Sequence, residues 1–345
     1  MNHASPSPIT RSRIATRLSW LLAAATGALA RAEFVPGHIY ITHAGNPDFC
    51  GWAGYPPTDR VYDVDPATGN YTLLKTKFTC RNLSSGIFTP DGSAMLAARS
   101  SANEVIRIQP DGTSQTVLTG ADGLSNPGGR NGMVYGNDGS LFLVNNGTRR
   151  IWRFPNGSAP GSQFGITPGT GAIAKAASGD IYWAGTTNVD PFEMGRVYRF
   201  TDEGVRIEFD RFVGGLISVA ADGFGNLFVL GPHTTGGTIW RYQNEDPSTR
   251  QVLVTGLSAS GALTMSGDGT TLYAAVGKWV YSIDIDTGAQ ALVTELPDMT
   301  HILGVSTFVP ESTSSAMTLL AFCVAFTWRA RARPTQDNYF ETKVR

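Results

Sequence analysis

A chain of 345 residues with 40 glycines, 19 prolines, only 16% charged residues and a formal net charge of −1 offers no broad cationic surface. Nucleic acid is therefore not an expected partner, because such binding rests on clustered cationic contacts. The five histidines, His3, His38, His43, His233 and His301, show no metal-ligand spacing.

The chain begins with a basic, then apolar, then small-residue order. Arg11, Arg13 and Arg17 precede the apolar segment Leu18 to Ala30, and Ala30-Arg31-Ala32 supplies the small-x-small pattern that signal peptidase requires. This order predicts a secretory signal peptide over 1–32, with Glu33 as the first mature residue. A buried N-terminal helix is the competing reading.

Between the two terminal segments lie roughly 275 residues, room for one large or two small domains. One unit recurs through them: a small apolar strand, a Gly-containing turn, a hydrophobic strand, a connection and a hairpin. The clearest copy runs from Asn131-Gly132-Met133-Val134-Tyr135 through Asp138-Gly139 to Leu141-Phe142-Leu143-Val144, followed by Arg150-Ile151-Trp152-Arg153-Phe154. Parallel copies are centred on Asp91-Gly92, Ser178-Gly179, Asp222-Gly223 and Asp268-Gly269. The turn glycines Gly92, Gly139, Gly179, Gly225 and Gly269 recur every roughly 40 to 47 residues, the period of propeller blades. A sixth unit is split. His38 to Thr42 and the hairpin from Val61 to Leu74 lack an innermost strand, and Gly304 to Phe308 supplies one. The expectation is an all-β, six-bladed β-propeller over 33–308, closed between first and last blades so that no sheet edge is left open.

In four-stranded blades, the connections between second and third strands and between blades emerge on one face. Here the opposite face is built from tight turns such as Asn137-Asp138-Gly139 and Pro110-Asp111-Gly112. The long segments 43–59, 75–84, 119–130, 184–195 and 231–237 all belong to the first face, where binding residues collect on a rigid ring. Asn131, Trp52, Tyr55, Asp190, Glu193 and His233 are its candidate ligand-binding residues. The aromatics of the 43–59 loop either stack on sugar rings or cover the core edge. Cys50 and Cys80 share this part of the chain, and in an exported domain they either pair or remain free thiols. Asp284-Ile285-Asp286-Thr287-Gly288 reads as the turn of an outer hairpin, with calcium binding as its alternative. Gly128-Gly129 lacks the lysine and following helix that phosphate binding needs.

The blade around Asn131 resembles NHL-type and gluconolactonase-like propellers, which share an Asn-Gly-(apolar)…Asp-Gly…Leu-Tyr/Phe-(apolar) pattern. That resemblance implies a divalent metal over the central channel, held by oxygen ligands from successive inner strands, with Asn131 in the place of the family's asparagine. The family's glutamate has no match in His38 to Thr42. The inner-strand starts Ser85-Gly86, Gly171-Ala172, Gly214-Gly215-Leu216-Ile217-Ser218, Ser260-Gly261 and Leu303-Gly304 carry no carboxylate. No catalytic residue, metal ligand set or cofactor is assigned on these residues. A lactonase-like hydrolase or lyase stays open as an alternative function.

After the repeats come Val309-Pro310-Glu311-Ser312, a run of apolar or small residues from Ala316 to Trp328 and the basic cluster Arg329, Arg331 and Arg333. This three-part order resembles the PEP-CTERM sorting signal of Gram-negative-type bacteria, recognised and cut by an exosortase. It departs from that pattern at Ser312, where a second proline is expected, and in the polar extension 334–345. The resemblance implies a sorting signal over 309–333 with a membrane helix over 316–328, and partners in signal peptidase, an exosortase-type enzyme and the membrane. An ordinary single-pass anchor is the alternative. The expected protein is an exported cell-envelope or extracellular propeller with a binding or structural role, its ligand a glycan or an envelope protein. Service as an interaction platform in a surface or exopolysaccharide matrix is the third reading.

Overall fold

The computed structural model describes residues 33–43, 58–79, 82–187, 194–233, 236–258, 261–297 and 302–309. The signal peptide, Cys50, Trp52, Tyr55, Cys80, Asp190, Glu193, Pro310, Glu311, the 316–328 segment, Arg329, Arg331, Arg333 and the polar tail lie outside them.

Among the described residues, twenty-four strands form six four-stranded antiparallel sheets. Blade 1 contains β1 (Ile39–His43), β2 (Thr58–Val64) and β3 (Tyr71–Thr79), and blade 2 contains β4 (Leu83–Phe88), β5 (Met95–Arg99), β6 (Glu104–Ile108) and β7 (Ser114–Leu118). Blade 3 follows with β8 (Met133–Tyr135), β9 (Leu141–Asn145), β10 (Arg150–Phe154) and β11 (Ser162–Ile166). Blade 4 has β12 (Gly169–Lys175), β13 (Ile181–Thr187), β14 (Met194–Phe200) and β15 (Arg206–Val213). Blade 5 has β16 (Ser218–Ala221), β17 (Leu227–His233), β18 (Gly236–Tyr242) and β19 (Gln251–Leu257). Blade 6 has β20 (Gly261–Met265), β21 (Thr271–Val276), β22 (Trp279–Asp284) and β23 (Gln290–Glu295). The last strand, β24 (Ile302–Thr307), returns to blade 1 and pairs antiparallel with β1, setting Ile41 opposite Val305. The chain is a six-bladed β-propeller, and no α-helix occurs among the described residues.

Strand composition follows position in the blade. Second strands are covered on both faces by neighbouring blades, so Ile39–His43 and Leu141–Asn145 are buried along their whole length. Innermost strands converge on the axis and are built from small residues, as in Gly-Thr-Gly-Ala-Ile-Ala-Lys of β12. Outer strands such as β7 face solvent over most of their length. The core is a ring of interfaces between blades. Ala172, Tyr182, Val229 and Trp240 join blades 4 and 5, while Ile39, Tyr62, Ala262 and Tyr273 join blades 6 and 1. At the closure, Phe308 stands 4.9 Å from Phe88 and 6.0 Å from Phe34, centroid to centroid.

The tight-turn face repeats one device. In the 136–140 turn the backbone N–H of Ser140 donates to Asp138 Oδ1 at 3.0 Å, and Gly139 takes φ 76°, where a Cβ is disfavoured. Asp91, Asp111 and Asp268 do the same at their own turns. Hydroxyl donors, Thr89 to Asp91, Ser140 to Asp138 and Ser266 to Asp268, together with these backbone N–H groups stabilise the ionised form, so all three titrate below the usual carboxylate range.

The loop-bearing face is shorter than its glycine and threonine content predicts. Strand pairing reaches Thr187 opposite Met194 and His233 opposite Gly236, and β3 continues through Thr79. Segment 184–187 is strand because β12 and β14 pair with it on both sides, whereas 75–79 is held by β2 alone and 231–233 by β18 alone.

Candidate functional site

The connection from blade 2 to blade 3, 119–132, is ordered by its own polar side chains. Thr119 and Asp122 form a reciprocal cap: the Ala121 N–H donates to Thr119 Oγ1 at 3.3 Å, and the Thr119 N–H to Asp122 Oδ2 at 2.8 Å. Fully buried Asn145, the last residue of β9, receives the Ser125 N–H at 2.9 Å and donates to the Gly123 carbonyl at 2.8 Å. The Gly128 N–H donates to the Val144 carbonyl at 2.8 Å. These bonds deliver Gly129, Arg130 and Asn131 to the mouth of the central channel in one fixed conformation.

A cavity of about 430 Å3 opens there, across the inner-strand starts of three consecutive blades. Blade 3 gives Gly129, Arg130 and Asn146, blade 4 gives Thr170, Gly171 and Thr186, and blade 5 gives Gly215, Leu216, Ile217 and Pro232. The space exists because glycines line it. A Cβ on Gly129 would come within 3.0 Å of the Gly171 carbonyl oxygen, and one on Gly215 would collide with Thr186 Oγ1. Among the described residues of the lining, Arg130 is the only charged one. Burial lowers the pKa of its guanidinium, a group that stays protonated regardless. Asn146 donates from Nδ2 to the Gly128 carbonyl at 2.8 Å, which orients the amide, and its Oδ1 is buried without a hydrogen-bond partner. The indole N–H of fully buried Trp183 is likewise unpartnered and lies behind Gly171, its nitrogen 2.6 Å from where a Cβ would stand there.

Asn131 holds a different post. It sits at φ 54°, its carbonyl accepts the Ile173 N–H of blade 4 at 3.0 Å, and its side chain crosses the axis. Oδ1 accepts the Val305 N–H of blade 1 at 3.0 Å, and Nδ2 donates to the Leu263 carbonyl of blade 6. Both ends of the amide are engaged, so Asn131 staples the far side of the ring. The gluconolactonase resemblance implies a metal ligand at Asn131, and here the amide oxygen at that position accepts a backbone N–H. Among the described residues no three His, Cys, Asp or Glu side chains come together as a ligand group. His233 ends β17 beside the cavity-lining Pro232. Exposed Val309 sits over Gly267, away from the channel mouth, its Cγ2 within 2.7 Å of where a Cβ would stand there.

Arg130, Asn146, Thr170 and Thr186 were not among the residues singled out from sequence. The available signal was Gly128-Gly129-Arg130, an arginine after two glycines at an inner-strand start. Asn146, Thr170 and Thr186 carry no such signal, because only the ring brings three blades together.

No protein-family model matches the chain, and no curated protein matches it. Solved structures share its architecture. A chain of the nidogen–laminin complex is 14% identical with TM-score 0.60, over 78% of this chain and 97% of that one. TolB from Acinetobacter baumannii is 13% identical with TM-score 0.58, over 89% and 75%. A structure described as a gluconolactonase is 15% identical with TM-score 0.50, over 63% and 78%. At these identities the likeness is one of fold: an all-β, six-bladed propeller with distant neighbours of NHL and gluconolactonase-like type.

Proposed function

We propose that this chain is an exported binding propeller of the cell envelope, which receives its ligand in the channel-mouth cavity and does not transform it. The observation that carries the reading is the cavity itself, a glycine-walled space shared by three blades on the face that bears the long connections. The metal-ligand position of the resemblance, Asn131, is spent on holding the ring together. Delivery rests on the terminal segments: a signal peptide over 1–32, and a PEP-CTERM-like order of Pro310-Glu311, apolar 316–328 and Arg329, Arg331 and Arg333. Its partners on this reading are signal peptidase, an exosortase-type enzyme and, at the cavity, a glycan or envelope component.

The test is a thermal-shift screen of glycans, peptides and lactones on the full chain and on Thr170→Trp, which fills the cavity from an exposed position. A ligand at about a hundred times its Kd adds about 2.7 kcal/mol to wild-type stability. The reading expects hits that vanish in Thr170→Trp. Hits that persist in that variant would place binding elsewhere, and metal-dependent lactone turnover would make the protein an enzyme. Intact mass from the native envelope tests delivery. A chain beginning at Glu33 and ending near Pro310–Glu311 is expected, and one running to Arg345 would leave a plain anchor.

A further inference from the structure

The reading above leaves the ligand's chemistry open, and the cavity wall narrows it. Among the described residues of the lining, Arg130 brings the one positive charge and none is a carboxylate. A guanidinium has five N–H donors in a planar fork, so a ligand anion can be served alongside any protein neighbour. Asn146 Oδ1 is an acceptor fixed in direction by the bond from Nδ2 to Gly128, and buried without a donor of its own. A buried acceptor left unmet is costly, so a ligand hydroxyl arriving there recovers free energy that a purely apolar ligand would not. Thr170 adds an exposed hydroxyl, and Thr186 Oγ1, which donates to the Leu216 carbonyl at 3.4 Å, keeps its acceptor capacity. Leu216, Ile217 and Pro232 form an apolar wall on the blade 5 side. The volume suits one or two six-membered rings.

Resting on the binding reading, we propose that the cavity takes a polyhydroxylated ring carboxylate of hexuronate type, free or as the end of an acidic glycan. The carboxylate meets Arg130, a ring hydroxyl donates to Asn146 Oδ1, and the ring's C–H face lies on Leu216, Ile217 and Pro232.

Calorimetric titration of the full chain tests this with three probes of one ring size: galacturonate, galactose and cyclohexanecarboxylate. A trigalacturonate arm separates a free sugar from a glycan end. Galacturonate is expected to bind at least about tenfold more tightly than either probe missing one function, since a hydrogen bond to a charged group contributes about 1.5–3 kcal/mol. Arg130→Gln is expected to erase the preference over galactose, with Arg130→Lys intermediate. Asn146→Ala weakens galacturonate and galactose alike and leaves cyclohexanecarboxylate unchanged. Thermal midpoints identify any variant that fails to fold, and Thr170→Trp blocks the site independently of Arg130. Galactose binding as tightly as galacturonate, or a preference that survives Arg130→Gln, would overturn the anion assignment while leaving the cavity a binding site. Probes that do not bind, or that bind Thr170→Trp as well as wild type, would overturn the anion assignment; only screen hits persisting in that variant reach the binding reading.

Discussion

Replacing Asn131 by alanine removes a side chain that ties blade 3 to blades 1 and 6 across the axis. The Val305 N–H loses its acceptor and the Leu263 carbonyl loses its donor. Each buried group left unpaired costs about 1–3 kcal/mol, and a Cβ-bearing residue held in the left-handed region costs about 1 kcal/mol more when the asparagine amide no longer compensates. The expected destabilisation is about 3–7 kcal/mol, a large part of the 5–15 kcal/mol typical of a folded domain. Asn131→Gly loses the same bonds but is at ease at φ 54°, so it should be milder than alanine by about 1 kcal/mol. Asn131→Asp keeps the acceptor for Val305 and sets a carboxylate against the Leu263 carbonyl, so it should be worse than glycine. Urea unfolding of the full chain, followed by tryptophan fluorescence, gives all three values. Alanine within about 0.5 kcal/mol of wild type would refute the staple, since that is the range of inconsequential surface changes. Stabilisation by added calcium in wild type but not in Asn131→Ala would show a metal ligand instead.

Other substitutions test other parts of the ring. Ser85 lies buried at φ 52° with an unpartnered hydroxyl, so Ser85→Gly should raise stability by up to about 1 kcal/mol in the same urea assay. Gly171→Ala drives a Cβ against Trp183 and the Ala184 carbonyl and should lower the thermal midpoint, with near-ultraviolet circular dichroism reporting the disturbed indole. Phe308→Ala opens the aromatic cluster that closes the ring and should cost about 3–5 kcal/mol in urea. Acid is the last test. Asp91, Asp138 and Asp268 have pKa values lowered by their turn donors, so they stabilise the fold above the unfolded value near about 4. That contribution is lost as pH falls through the folded values, while Asp180, raised by burial, acts in the opposite sense. The urea midpoint should drop between about pH 5 and pH 3, and Asp138→Asn should shallow the drop.

The fold was legible because its punctuation is local. Asp138-Gly139 and its counterparts set a turn wherever a carboxylate can cap backbone N–H groups, and the apolar runs between them state which strands are covered on both faces. The split blade could be read from β1 and its hairpin, which lack an inner partner, and Gly304 to Phe308 overlaps the strand that closes it, β24. Loop lengths were misread. Gly236 and Thr186-Thr187 have the composition of turns, yet paired neighbours keep them in strands. The cavity was largely hidden, because its walls come from Gly129, Gly171 and Gly215, whose contribution is the absence of a side chain. Asn131 was legible as a polar residue at the axis but not as a staple, because its partners Leu263 and Val305 lie in blades that only ring closure brings opposite.

The central claim, a cavity that binds without chemistry, is tested most directly by recovering the ligand. A screen hit would be incubated at saturation with the full chain, with and without calcium, and weighed by mass spectrometry afterwards. The account predicts unchanged ligand, bound by wild type and released by Thr170→Trp. A ligand whose mass has changed by one water, with wild type only, would make the channel mouth an active site and contradict the account.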